Sequence, residues 1–167
     1  AKQSDVVILA VGEDADKTGE AASRTNIELY PAQKELVKAI HATGTPVVMV
    51  LMNGRPLATE WSEANIPSIL NGWHLGTEAG NALADVLFGD YNPSGKLTMT
   101  VPRKTGQIPI FYNRKRISRP LDSTRHTSKY VDSSNDPLYP FGYGLSYTNF
   151  SYSAIKLSTD SINLNES

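Results

Sequence analysis

Glu13, Asp14, Asp16, Glu20 and Arg24 crowd one short glycine-bearing stretch, GEDADKTGEAASR, and proton transfer is the first chemistry such a cluster could perform. A Glu used as a general acid must hold its proton near neutrality, through burial or a neighbouring anion, and a loop that folds onto a ligand supplies both. On residue chemistry alone Glu20 does not rank above Glu13, and a solvated acidic loop is the plainer account of the same residues. Asp14, Asp16, Thr18 and Gly19 imitate the opening of a calcium loop, but its twelfth position falls on Thr25, where a bidentate Glu is required. The glycine spacing of a dinucleotide-binding turn is missing. The segment GDYNPSGKL departs from a Walker loop twice: five residues separate Gly89 from Gly95-Lys96, and Leu97 stands where a hydroxyl belongs. No GxSxG elbow occurs, and His41, His74 and His126 lack metal-ligand spacing, so neither a metal nor a cofactor is expected. His74 follows Trp73 at a predicted strand end, where it could contact a ligand, although a structural role is commoner for that residue type.

The acidic stretch follows Val6 to Val11, six apolar residues without alternation, which read as a strand buried on both faces of a parallel sheet. In open α/β sheets ligands sit beyond the carboxyl ends of the strands, and Glu13 to Arg24 fall there. Pro31 opens a helical pattern over 31–43, with Leu36, Val37 and Ile40 on one face and Gly44 as its stop. Val47 to Met52 predicts a second buried strand, Leu57 to Glu63 a short helix, and Ser68 to Trp73 a third strand. Ala79, Ala82, Leu83, Val86 and Leu87 predict a helix over 77–88, capped by Gly89, and Leu97 to Val101 a fourth strand. Repeated strand-helix units predict an α/β fold, a mostly parallel sheet flanked by helices in flavodoxin-like layers with right-handed crossovers. Residues 113–137 read as a long polar loop whose RKR run, 114–116, is a solvated stretch. The segment 137–150 packs aromatics between glycines, as suits a tight connection pressed against a surface. The alternation after Ser151 resembles the first strand of a further β module. The sequons at Asn149 and Asn165 are read as coincidence.

With 167 residues, 40% hydrophobic and 20% charged, the chain has the composition of one globular domain. A formal net charge of −1 creates no field to gather nucleic acid. No apolar stretch approaches membrane-spanning length, and no membrane partner is expected. The opening AKQSD, with neither an initiator Met nor a basic-then-apolar signal, reads as a processed or excised piece. The absence of cysteine excludes disulfides and thiolate catalysis and leaves the compartment open.

The segments GEAASRTNIELYPAQKELVKAI, VVMVLMNGRPLA, ILNGWHLGTEAGNALADVLFGDYNPSGKLTMTVPR, QIPIFYN and LYPFGYGLSYTNF closely resemble, in unbroken order, the second domain of family 3 glycoside hydrolases, the β-glucosidase and β-xylosidase group. The resemblance covers about Val6 to Phe150 and is nearest to exported bacterial β-glucosidases of the periplasmic type. It implies an α/β sandwich domain, residues 1–150, that lends an acid/base Glu on a loop reaching a preceding barrel, and the barrel carries the nucleophilic Asp. In that family's Glu-x-x-x-Arg setting the acid/base falls on Glu20 with Arg24, and Glu13 becomes a structural residue at the base of the loop. Arg24, Trp73 and His74 are the candidate sugar contacts. Residues 151–167 are then a linker or the first strand of a fibronectin-type-III-like domain. The implied partners are a β-linked oligosaccharide or aryl glycoside and the barrel, and the implied location is periplasmic or secreted. A carbohydrate-binding or scaffolding module that kept the fold is the rival of another class, and it has no need of Glu20. A flavodoxin-like small-molecule binder is disfavoured by the missing phosphate loop.

Overall fold

The segment PVVMVLM supplies the centre of the molecule, because an unbroken apolar run needs cover on both faces and a neighbour on both edges. The computed structural model describes residues 1–115, 119 and 126–161. In it β2 (Val47–Met52) lies between β1 (Val7–Gly12) and β3 (Ser68–Asn71) in a three-stranded parallel sheet. The register runs from Val7 opposite Val47 to Gly12 opposite Met52, and from Val48 opposite Ser68 to Leu51 opposite Asn71. Gly12, Met52 and Asn71 therefore end at one edge, and the loops that follow them share that edge.

Among the described residues three α-helices alternate with the strands: α1 (Pro31–His41), α2 (Glu60–Asn65) and α3 (Ala79–Phe88). Proline at the start of α1 has no amide to leave unpaired, and Gly89 ends α3 in the left-handed conformation, at φ 88°, that glycine adopts without strain. Both crossovers step the same way across the sheet, so right-handed connections put α1 and α2 on one face. The core agrees. Val11, Val47, Met49 and Leu51 pack with Val37 of α1 and with Leu29, Leu57 and Ile66, and Leu9, Ile40 and Ile69 border them. Met49 is fully buried. Met49→Ala is expected to cost about 2–5 kcal/mol in urea unfolding, and a cost below about 1 kcal/mol would contradict this placement of the core.

The structure corrects four details of the sequence-based expectation. The Val6–Val11 run is covered on one face only: Val6 and Ile8 are 48% and 47% exposed, because β1 is an edge strand and both crossover helices lie on the Leu9 and Val11 side. The helix expected from Leu57 starts at Glu60, since Ala58 is still held extended by its amide bond to the Ile27 carbonyl and its bridge to Glu28. β3 stops at Asn71, two residues before Trp73, whose φ of 46° turns the chain out of the extended conformation. Leu97 to Val101 forms no strand of the sheet. Its groups bond instead to the aromatic segment: the Leu97 and Val101 amides donate to the Tyr143 and Tyr139 carbonyls, with one antiparallel bridge at Val101 and Tyr139.

Tyr139 stacks on Tyr143 at a centroid distance of 5.0 Å, and its phenol is pushed up to about 12 by burial and, secondarily, by the nearby Glu63 charge. Arg114 and Lys115 of the RKR run are exposed, and the third member, Arg116, lies outside the described residues, as does Asn165. Residues 151–161 are exposed and form no helix or strand, and 162–167 lie outside the described residues.

Candidate functional site

β1 can pass into the acidic loop as it does because residue 12 is glycine. Its φ is 145°, and a Cβ there would lie 1.9 Å from the Met52 carbonyl oxygen. The Glu13 amide donates to that carbonyl at 2.8 Å, which sends the Glu13 side chain into the space under the loop. There the carboxyl group is wholly buried. Its Oε1 receives Arg24 Nη1 at 2.7 Å and Arg55 Nε at 3.0 Å, and its Oε2 receives the Gly54 amide at 3.3 Å. A buried carboxylate requires this company, since an unpaired one loses its hydration with nothing in return.

The two arginines then spread outward. Arg24 Nη2 donates to the Glu28 carbonyl at 2.8 Å, and its guanidinium sits 4.4 Å from the centre of the Tyr30 ring. Arg55 Nη2 donates to the Lys17 carbonyl at 2.9 Å and to the Ala22 carbonyl at 2.8 Å. The loop adds its own turns, with the Lys17 amide on the Asp14 carbonyl and the Ala22 amide on the Gly19 carbonyl. Glu20 occupies the tip of the second turn. Its side chain is exposed, and it makes no hydrogen bond or ion pair with any described residue. The two carboxylates that residue chemistry left unranked are thus placed very differently: Glu13 underneath and neutralised, Glu20 outward and unengaged.

Arg24 stands on Glu13 rather than on Glu20, so the Glu-x-x-x-Arg spacing joins the arginine to the base of the loop. Trp73 is half-buried and His74 exposed. His74 lines an open cleft of about 410 Å³, together with Thr18, Ala21, Ser23, Gly54 and Arg55; Glu20, Arg24 and Trp73 lie outside its lining. Gly54 allows the close approach there, since a Cβ on it would fall 2.0 Å from Thr18 Oγ1 and 2.6 Å from His74 Nε2. Ala21 (φ 61°) and Trp73 (φ 46°) are the non-glycine residues with a left-handed backbone among those described. Each is adjacent to a candidate site residue. Strain of this kind costs roughly 1–3 kcal/mol and persists where the surroundings enforce it, often around functional groups.

Arg55 was not among the candidate residues of the sequence. A signal for it exists: it follows β2 as Glu13 follows β1, so in a parallel sheet both reach the same carboxyl edge. Among the described residues no group of three or more His, Asp or Glu side chains could hold a metal ion, and no helix is long and apolar enough to cross a membrane.

A model of the glycosyl hydrolase family 3 C-terminal domain matches residues 1–147. The chain is 53% identical over 162 residues to the periplasmic beta-glucosidase of Salmonella typhimurium, an alignment covering 95% of this chain and 21% of that protein. It is 50% identical over 165 residues to a beta-xylosidase of Formosa agariphila, covering 99% of this chain and 22% of that one. The crystal structure of a beta-glucosidase from Listeria innocua shares the fold with a TM-score of 0.87 at 46% identity, over 90% of this chain and 21% of that one. The chain therefore spans about a fifth of the length of these relatives. A match over residues 1–147, on a fold held in common at this level of identity, carries one assignment: the chain belongs to the family of glycosyl hydrolase family 3 C-terminal domains.

Proposed function

We propose that this chain is the α/β domain of a retaining exo-β-glycosidase of the β-glucosidase type, and that Glu20 is its general acid/base. The observation that carries the proposal is the contrast within the loop: an unengaged carboxyl at the tip of a turn whose base is pinned to the sheet by a buried charge cluster. Retaining hydrolysis uses two carboxyls roughly 5–5.5 Å apart, one attacking the sugar carbon and one protonating the departing oxygen. Glu20 supplies the second of these, and a barrel preceding residue 1 supplies the Asp nucleophile. Docking against that barrel would bury Glu20 and bring it beside an anion, the two conditions under which a carboxyl keeps its proton.

The exposed surface supports a docked domain. Ile8, Phe88, Leu145 and the rings of Tyr112 and Tyr147 are large, apolar and exposed. In this proposal residues 1–150 form the domain and 151–167 lead toward a following β module. His74 and Trp73 contact the sugar or its leaving group from the side of the cleft, and Arg24 serves the site by holding Glu13. The substrate is a β-linked oligosaccharide or aryl glycoside, in keeping with relatives named beta-glucosidase and beta-xylosidase, and a Listeria innocua relative whose structure was determined in complex with glucose. The name of the Salmonella relative supports a periplasmic or secreted location.

The test compares the isolated chain with the full-length protein on nitrophenyl β-glucoside. The isolated chain is expected to stay at background and the full-length protein to turn over. Turnover by the isolated chain, abolished by replacing one of its carboxylates, would place both catalytic groups here and overturn the division of labour. Sugar binding without hydrolysis by the full-length protein would favour the rival carbohydrate-binding module.

A further inference from the structure

Arg55 does more than neutralise Glu13. Its Nη2 holds two carbonyls, those of Lys17 and Ala22, and Glu20 lies between them in the chain. Its Nε meanwhile lies 3.0 Å from Oε1 and 3.3 Å from Oε2 of Glu13. A guanidinium is planar and presents its donors in a fixed fork, so a single rigid group ties both stems of the Glu20 turn to the carboxylate at the end of β1. Its backbone neighbour assists, because Gly54 leaves room for Thr18 of the same loop to seat against it. The strained backbone at Ala21, next to Glu20, lies inside the span that Arg55 clamps.

We propose that Arg55 is a positioning residue that sets where the Glu20 carboxyl stands against the substrate, which rests on the assignment of Glu20 as acid/base. Arg55 lines the cleft beside His74, but its side chain is only 18% exposed and its Nε and Nη2 are engaged within the chain, so its effect runs through the loop. Displacing a catalytic group by about 1 Å costs on the order of 10² in rate, and the cost falls only on steps that use that group. Loss of Arg55 should therefore be felt when the leaving group needs a proton and hardly at all when it does not.

The experiment measures kcat/KM of the full-length protein on an alkyl β-glucoside and on dinitrophenyl β-glucoside, for Arg55→Met, Arg55→Lys, Glu20→Gln and the double variant Arg55→Met with Glu20→Gln. Arg55→Met should lose about 10²-fold on the alkyl glucoside and less than about tenfold on the dinitrophenyl glucoside. In the Glu20→Gln background it should lose almost nothing further on the alkyl glucoside, since groups acting as one unit are not additive. Arg55→Lys keeps a charge beside Glu13 but cannot reproduce the fork, so it should show the same dependence on leaving group in smaller measure. If Arg55→Met does not fold, judged by circular dichroism and its melting curve, Arg55→Lys carries the comparison alone. Equal losses on both substrates, or a loss that multiplies with that of Glu20→Gln, would overturn the positioning role while leaving Glu20 as the acid. Absence of leaving-group dependence in Glu20→Gln itself would instead remove the acid assignment, and this inference with it.

Discussion

Replacing Glu20 with Gln in the full-length protein is expected to slow formation of the glycosyl-enzyme by roughly 10²–10⁴ for glycosides whose leaving oxygen needs a proton. Gln preserves the size of the side chain and the turn that carries it, so the loss reports the missing proton rather than a displaced loop. A dinitrophenyl group departs as a stabilised anion and needs no acid, and with that substrate the first step should be nearly normal. Glu13→Gln is the internal control. Glu13 lies buried beneath the loop, so its replacement should lower stability in urea unfolding, whereas Glu20→Gln, at an exposed position, should not. Equal losses for Glu20→Gln on activated and unactivated glycosides would remove Glu20 from the acid/base role.

The second large effect is structural. Glu13→Ala leaves the guanidiniums of Arg24 and Arg55, only 15% and 18% exposed as side chains, with no anion between them. Removing one partner of a buried ion pair costs about 3–5 kcal/mol, mainly because the remaining charge is stranded in a poor solvent. Urea unfolding of the chain should show a loss of that size. Arg24→Ala should cost less, because Arg55 and the Gly54 amide still serve the carboxylate. A change below about 1 kcal/mol for Glu13→Ala would mean that water reaches the cluster and that it does not anchor the loop.

Much of this architecture is legible in the sequence. Val47 to Met52 can be read as a central strand because parallel strands covered by crossover helices need no alternation. The same rule overreaches at Val6 to Val11, where Ile8 and Ala10 face outward, since a local run of apolar residues does not say whether the strand is central or at an edge. Leu97 to Val101 misleads for a related reason. Its composition suits a strand, but its hydrogen bonds go to Tyr139 and Tyr143, some forty residues on, and no local pattern names a partner.

The site shows the same boundary between local and distant information. The cluster Glu13 to Arg24 is visible because it follows a strand, yet its chemistry cannot separate Glu13 from Glu20, and only the family resemblance did so. The structure supplies the physical difference through Arg55, which lies 42 residues from the carboxylate it neutralises. Separation of that kind leaves no periodicity or spacing to read.

The most direct test of Glu20 is the fate of its Gln variant on dinitrophenyl β-glucoside with added azide. The first step proceeds without the acid, and the second then lacks the base that activates water, so the covalent glycosyl-enzyme should accumulate. Azide needs no deprotonation. It should restore turnover and release a glucosyl azide of β configuration, identified by NMR. No rescue by azide, or a product of α configuration, would contradict a retaining mechanism in which Glu20 is the acid/base.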